Sequence, residues 1–499
     1  MAPWLTIVAP LPTVRRQLQE LYPFMASHKL DFRRLSRLMI VTLTAFALMV
    51  PAGRPARAQS GGGDGGQQII LVRDAEIEQL LREYVRPILR AAGISAQRDI
   101  SIALVNDRTF NAFVIDGQRI FITTGALLDA KTPNEVIGVL AHETGHIAGG
   151  HLARIRQELA RASTNSIIAL ILGAAAVAGA ALSKGNQGEL GGAATGVLLG
   201  SASIGQRTLL AYQRTEEQAA DRAAVTYLNA TQQSPNGMLV TFERFSDQIS
   251  GISRFIDPYL QSHPLPRERV VGLRNEVEKS PYRDRRDAPA LQLRHDLMRA
   301  KVAGFIERGD LVLRRYPLSD NSLAAKYARA VATYRAGNLT AALPIMDELI
   351  AAQPNNPYFQ ELKGQAYLER GRPRESLPSY RKALQLSGGN ALIRSALGRA
   401  MVATEDKTML DEAIRELERA VVQEPETAET YRFLGIAYGR KGEDGKASLA
   451  TAQGYFVVGA YPLAKRSAVR AQALLPRGSP GWIRADDIVN FRPPPREDQ

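Results

Sequence analysis

At 499 residues, 45% of them hydrophobic and 23% charged, the chain has a globular composition and is too long for one ordinary core, which excludes wholesale disorder and predicts two or three domains. The net charge of +13 suggests nucleic acid, but residues 1–58 hold eight Lys and Arg against only Glu20 and Asp31, and the remaining excess is mild and without long basic runs, which argues against a nucleic-acid partner. Cysteine is absent, so disulfides are excluded and a metal would have to be held by His, Asp and Glu.

Arg33, Arg34 and Arg37 precede the apolar run LMIVTLTAFALMV (38–50), and Ala56-Arg57-Ala58 follows with the small-x-small pattern of a secretory cleavage site. Residues 1–58 therefore read as a signal peptide, with retention as an anchor the alternative; the run is short for a bilayer span. Export to the periplasm of a Gram-negative bacterium is the expected consequence. Residues 59–70, including SGGGDGG, read as a flexible linker.

Residues 74–93 carry apolar side chains at helical spacing and predict an amphipathic helix. Residues 99–127 alternate β-branched and aromatic residues around Asp116-Gly117 and predict a strand pair. A helix is predicted over 132–159, with Thr132 as its cap, Pro133 in the first turn and Glu135 at the third position. Residues 162–205 hold two apolar stretches around a polar break and predict a hairpin: a lid or interfacial element touching a membrane peripherally, or a buried core hairpin. A polar helix is expected over 207–230. From about residue 290 three segments align, with Gly364, Gly398 and Gly435 spaced by 34 and 37 residues and Pro354, Gly388 and Pro425 spaced identically. A period near 34 with small residues at helix crossings resembles the tetratricopeptide repeat, whose groove grips protein.

The chemistry concentrates in AHETGHIAGGH (141–151), which holds three of the six histidines. His142 and His146 are four apart, so on a helix both imidazoles share one face and reach one ion, while Glu143 lies beside the open position as a general base. The pattern HExxHxxGxxH would need a third His at 152, where Leu stands; His151, five beyond His146, is read as rotated away into ordinary helix packing. EEQAAD (216–221) supplies the alternative: Glu217 as third ligand and Asp221, four later, accepting a hydrogen bond from the outer nitrogen of His142. Glu216 is read as a solvated charge.

HETGH, then EQAAD, then SHPLPRER (262–269), after a signal sequence and before helical repeats, resemble the M48 family of zinc metallopeptidases in its periplasmic, repeat-bearing branch. The resemblance implies a mostly α (α+β) chain: a gluzincin-type metalloprotease domain with a small β-sheet over 71–280, an all-α tetratricopeptide solenoid over 292–480, and a tail over 481–499. It implies one Zn²⁺ on His142, His146 and Glu217, Glu143 as base, and His263 as an added metal contact that plugs the resting site. Unfolded or stalled envelope polypeptides are the implied substrates, in outer-membrane protein quality control, with the repeats docking clients or the assembly machinery. The segment NAFVIDGQRIFIT (111–123) would offer an edge to extended substrates. The competing class is a chaperone or scaffold with a structural metal.

Overall fold

The computed structural model describes residues 5–6, 71–94, 100–115, 118–151, 153–154, 214–250, 263 and 267–493. The expected cleavage site, the linker, the Asp116-Gly117 turn and the apolar hairpin of 162–205 lie outside the described residues. Among the described residues no helix is long and apolar enough to cross a membrane.

Five strands form one sheet: β1 (Leu5–Thr6), β2 (Leu71–Val72), β3 (Ser101–Val105), β4 (Ala112–Val114) and β5 (Arg119–Thr123), in the order β1-β2-β3-β5-β4. The predicted strand pair is β4 against β5, antiparallel, with Phe113 opposite Phe121 and their rings stacked 5.3 Å apart. The same stretch also contains β3, which pairs parallel with β5, a pairing that local alternation does not reveal. Between β2 and β3 runs α1 (Ala75–Ala91), started by Asp74, whose carboxylate accepts from the backbone of Glu76 and Ile77. A short helix, α2 (Thr124–Asp129), follows β5 directly, and α3 (Pro133–Gly149) comes next, with Thr132 capping the Glu135 amide as expected. Here α3 ends ten residues earlier than predicted, because Gly150 turns into the left-handed region at φ 65°. A helix over 214–230, α4, then α5 (Asn236–Ser250) and α6 (Arg267–Glu278) complete the domain. Leu81 of α1, Ile120 of β5, Leu140 of α3, Leu228 of α4 and Phe242 of α5 close its core.

The next helix, α7 (Pro289–Ile306), serves two cores: Met298 and Val302 face the first domain, Leu297 and Phe305 the repeats. On its first-domain side His295 is buried, with Nδ1 3.1 Å from the Tyr84 hydroxyl and Nε2 2.9 Å from the Ala130 carbonyl. Donating from Nε2 while accepting on Nδ1 requires a neutral ring, and burial holds its pKa down at about 4. Between the ordinary value of about 6.5 and that lowered one, the unfolded chain binds a proton here that the folded chain does not. Stability present above pH ~6.5 is therefore lost as the pH falls toward 4, and about 2 kcal/mol of it by pH 5. In His295→Gln the fall in denaturant midpoint between pH 7 and 5 should be smaller by that amount; parallel falls would refute the assignment.

After α8 (Gly309–Arg315) the helices come in antiparallel pairs: α9 (Leu323–Arg335) with α10 (Leu339–Ala352), α11 (Pro357–Glu369) with α12 (Pro373–Leu386), α13 (Ala391–Ala403) with α14 (Leu410–Gln423), and α15 (Ala428–Lys441) with α16 (Asp444–Val457). A Cβ added at Gly364 would press on Tyr380, and one at Gly398 on Leu417, so the spaced glycines mark helix crossings. The three extra residues of the second period sit at a 3-10 turn, Lys407–Met409. Next come α17 (Tyr461–Leu474) and α18 (Pro480–Asn490). The tail expected from 481 is thus corrected: Ala485 and Ile488 bury an apolar stripe of α18 against Leu449 and Ala468, and Phe491 meets Phe456 edge to face.

The repeats close on the start of α1. Ala75 packs with Ala383 and Ile393, Arg73 and Arg82 pair with Glu424, and Lys301 sits between Asp74 and Glu76. Part of the repeat surface expected to receive other proteins is therefore taken by the chain's own residues 73–82.

Candidate metal centre

The site lies where α3 crosses α4. A Cβ on Gly145 would stand 2.9 Å from the Ala220 carbonyl oxygen, so glycine in HETGH lets the two backbones meet. That contact sets the carboxylates of Glu217 and Asp221 against the rings of His142 and His146, one helical turn matched to another. His263, arriving from the chain just before α6, is buried in the same place.

His142, His146, Glu217 and His263 each present one donor atom, and the four lie within 4.8 Å of one another. Nε2 of His142 is 3.0 Å from Nε2 of His146 and 3.4 Å from both Nδ1 of His263 and Oε2 of Glu217. Nε2 of His146 and Nδ1 of His263 are 3.4 and 3.1 Å from Oε1 of Glu217. Donors held about 2 Å from one ion in a tetrahedron are about 3.3 Å apart, so these residues fit a Zn²⁺-sized cation.

Glu143 is 1% exposed, and among the described residues its carboxylate accepts no hydrogen bond; Nε2 of His263 stands 3.5 Å away. Burial pushes its carboxyl above the ordinary range. Glu217 goes the other way: burial would raise it, but His263, Arg269 and His146 hold it well below the usual carboxylate value. Burial also pulls His142 down, yet Asp221 and Glu217 together raise it to about 9, while His146, whose burial is less offset, is pushed well below the ordinary value. Two carboxylates a few ångströms apart, one stabilised as an anion and one destabilised, can play different parts.

The structure brings His142, His146, Glu217 and His263 together, with Glu143 and Asp221 beside them. Nδ1 of His142 lies 3.0 Å from Oδ1 of Asp221. His151 and Glu216 are corrected. The ring of His151 is buried and its Nδ1 lies 3.0 Å from Nδ1 of His146, while Glu216, also buried, is 2.8 Å from its other nitrogen. The helical rotation argument failed because the helix stops at Gly150, one residue before His151. Arg269 was missed altogether: 2% exposed, it grips Asp221 through Nε and Nη2 at 2.6 and 2.9 Å, reaches Glu217 through Nη1 at 2.8 Å and covers Phe242. Its signal was its place in SHPLPRER, an arginine six residues after the histidine.

Residues 72–277 match the model of Peptidase family M48, and 312–357 and 327–391 match that of the Tetratricopeptide repeat. The chain is 28% identical over 295 residues to a "Putative beta-barrel assembly-enhancing protease" of Vibrio cholerae, covering 56% of this chain and 57% of that one. It is 23% identical over 405 residues to the "Beta-barrel assembly-enhancing protease" of Escherichia coli K12, covering 73% and 80%. Over 169 residues it is 31% identical to the Escherichia coli "Metalloprotease LoiP", covering 34% and 58%. The matched region thus spans little more than half the length of the Vibrio relative.

Proposed function

Because the chain carries a Peptidase family M48 domain followed by tetratricopeptide repeats, we propose that it is a zinc-dependent endopeptidase of the periplasm that removes unfolded or stalled polypeptides during assembly of outer-membrane β-barrels. The observation that carries the reading is Glu143, a buried carboxylate that accepts no hydrogen bond among the described residues, beside four converging donors. A purely structural ion would give such a group no purpose, and its burial would weaken the fold for nothing.

His142, His146 and Glu217 would hold the ion, with His263 as an added contact. Zn²⁺ there would polarise a scissile carbonyl and acidify a water. Glu143 takes the proton and passes it to the departing amine, a task suited to a carboxyl pushed upward by burial. Nδ1 of His263 shares the cluster and its Nε2 faces Glu143, so His263 must withdraw for a substrate to reach both. β4 is the last strand of the sheet, and an extended polypeptide pairing with it would be read through its backbone, which gives loose sequence preference. The names of the relatives support β-barrel assembly as the setting, and the repeats supply contact with clients or assembly proteins.

The test is cleavage of unfolded casein by the purified chain before and after chelation. Hydrolysis should vanish with the metal and return on adding Zn²⁺; cleavage that continues in stripped protein would sink the proposal.

A further inference from the structure

A histidine that ligates through Nε2 must be neutral and carry its proton on Nδ1, so something has to accept that proton's hydrogen bond. For His142 the carboxylate in that place is Asp221, its Oδ1 3.0 Å from Nδ1 and its other oxygen gripped by Arg269. Among the described residues His146 has no carboxylate in that place. Its Nδ1 faces Nδ1 of His151 at 3.0 Å, the rings crossing at 88°.

We propose that His151, held by Glu216, is the positioning residue for His146, accepting its Nδ1–H so that Nε2 stays unprotonated and aimed at the ion; this rests on the metallopeptidase reading. The proton directions follow from the far end of the chain. Glu216, as a carboxylate, can only accept, and Arg154 grips it through Nη2 at 2.7 Å and Nε at 3.3 Å. Nε2 of His151, 2.8 Å from Oε2 of Glu216, must therefore donate. A neutral imidazole that donates from Nε2 has its lone pair on Nδ1, and that lone pair takes the hydrogen of His146. Both ligand histidines thus end on an arginine-held carboxylate, one directly and one through a second ring.

The local backbone is shaped for this contact. Gly150 adopts φ 65°, which folds the chain back at the end of α3, and a Cβ on Gly149 would overlap the His151 ring. The two glycines of HIAGGH are what a ring seated against His146 requires.

The test uses the full chain, Zn²⁺ affinity by chelator competition and the visible spectrum of the Co²⁺-loaded protein. His151→Phe keeps a ring of similar size but no acceptor, and should weaken Zn²⁺ binding about 10–100-fold and alter the Co²⁺ spectrum. His151→Asn, whose side-chain oxygen stands near the place of Nδ1, should restore most of the affinity and the parent spectrum. Gly149→Ala, which adds only a methyl group, should displace the ring and reproduce the Phe phenotype. Parent-like affinity and spectrum in His151→Phe would overturn the positioning role while leaving the peptidase reading intact. A parent chain that binds no stoichiometric Zn²⁺ would overturn both.

Discussion

Glu143→Gln is expected to reduce peptide hydrolysis by about 10²–10⁴-fold, the usual contribution of a positioned general base, or about 3–5 kcal/mol of transition-state stabilisation. Metal content should not change, because the four donors of the cluster come from His142, His146, Glu217 and His263. Stability should not fall either. The carboxylate of Glu143 accepts no hydrogen bond among the described residues, so an amide of the same shape forfeits none. Burial raises its carboxyl above the ordinary value, so the folded chain holds a proton there that the unfolded chain has lost, and this contribution disappears as the pH rises through the raised value. Glutamine cannot ionise. The variant should therefore melt at least as high as the parent at neutral pH, with the gap widening toward alkaline pH. Wild-type cleavage in Glu143→Gln would show that another group moves the proton; a lower melting temperature would show that this carboxylate supports the fold.

The parts of this site legible in the sequence are those governed by one local rule. The period of a helix places His142 with His146, and Glu217 with Asp221, and the shared motif joins the two pairs across some seventy intervening residues. The repeat spacing was equally open, because identical helix pairs impose identical small residues at Gly364 and Gly398. A helical wheel continued past Gly149 misplaces His151, because the backbone turns left-handed at Gly150 and the wheel no longer applies. Glu216 does point away from the ion, but toward His151, so its direction was right and its solvation wrong. Arg269 and the parallel pairing of β3 with β5 depend on partners far along the chain, which periodicity cannot see. The docking of the repeats on α1 is of the same kind: Tyr327 donates to Glu76 across 251 positions.

That docking predicts the largest stability effect outside the metal centre. Lys301 is 2% exposed, its Nζ 2.8 Å from Asp74, 3.3 Å from Glu76 and 3.8 Å from Glu361. One cation cannot balance three carboxylates this close, Glu76 buried and Asp74 and Glu361 partly so, and burial raises the Glu361 carboxyl to about 8. Asp74 also caps α1 and Glu76 accepts from Tyr327, so the lysine anchors the first turn of α1 in the repeats. Lys301→Met fills the same volume without the charge and should destabilise the chain by about 3–5 kcal/mol, the range for removing one partner of a buried ion pair. The deficit has a definite pH dependence. With the cation gone, the carboxylates facing each other in the interface shift upward, the folded chain binds more protons than the unfolded one, and stability falls as pH rises through the new values. Denaturant midpoints of parent and variant should thus lie closer together at pH 5 than at pH 8. Hydrogen exchange should show the loss at α1 and at the facing turns of α9 and α11, where Tyr327 and Glu361 stand. A small deficit, equal at both pH values, would mean that the apolar contacts of Ala75 with Ala383 and Ile393 hold the two parts together without the charges.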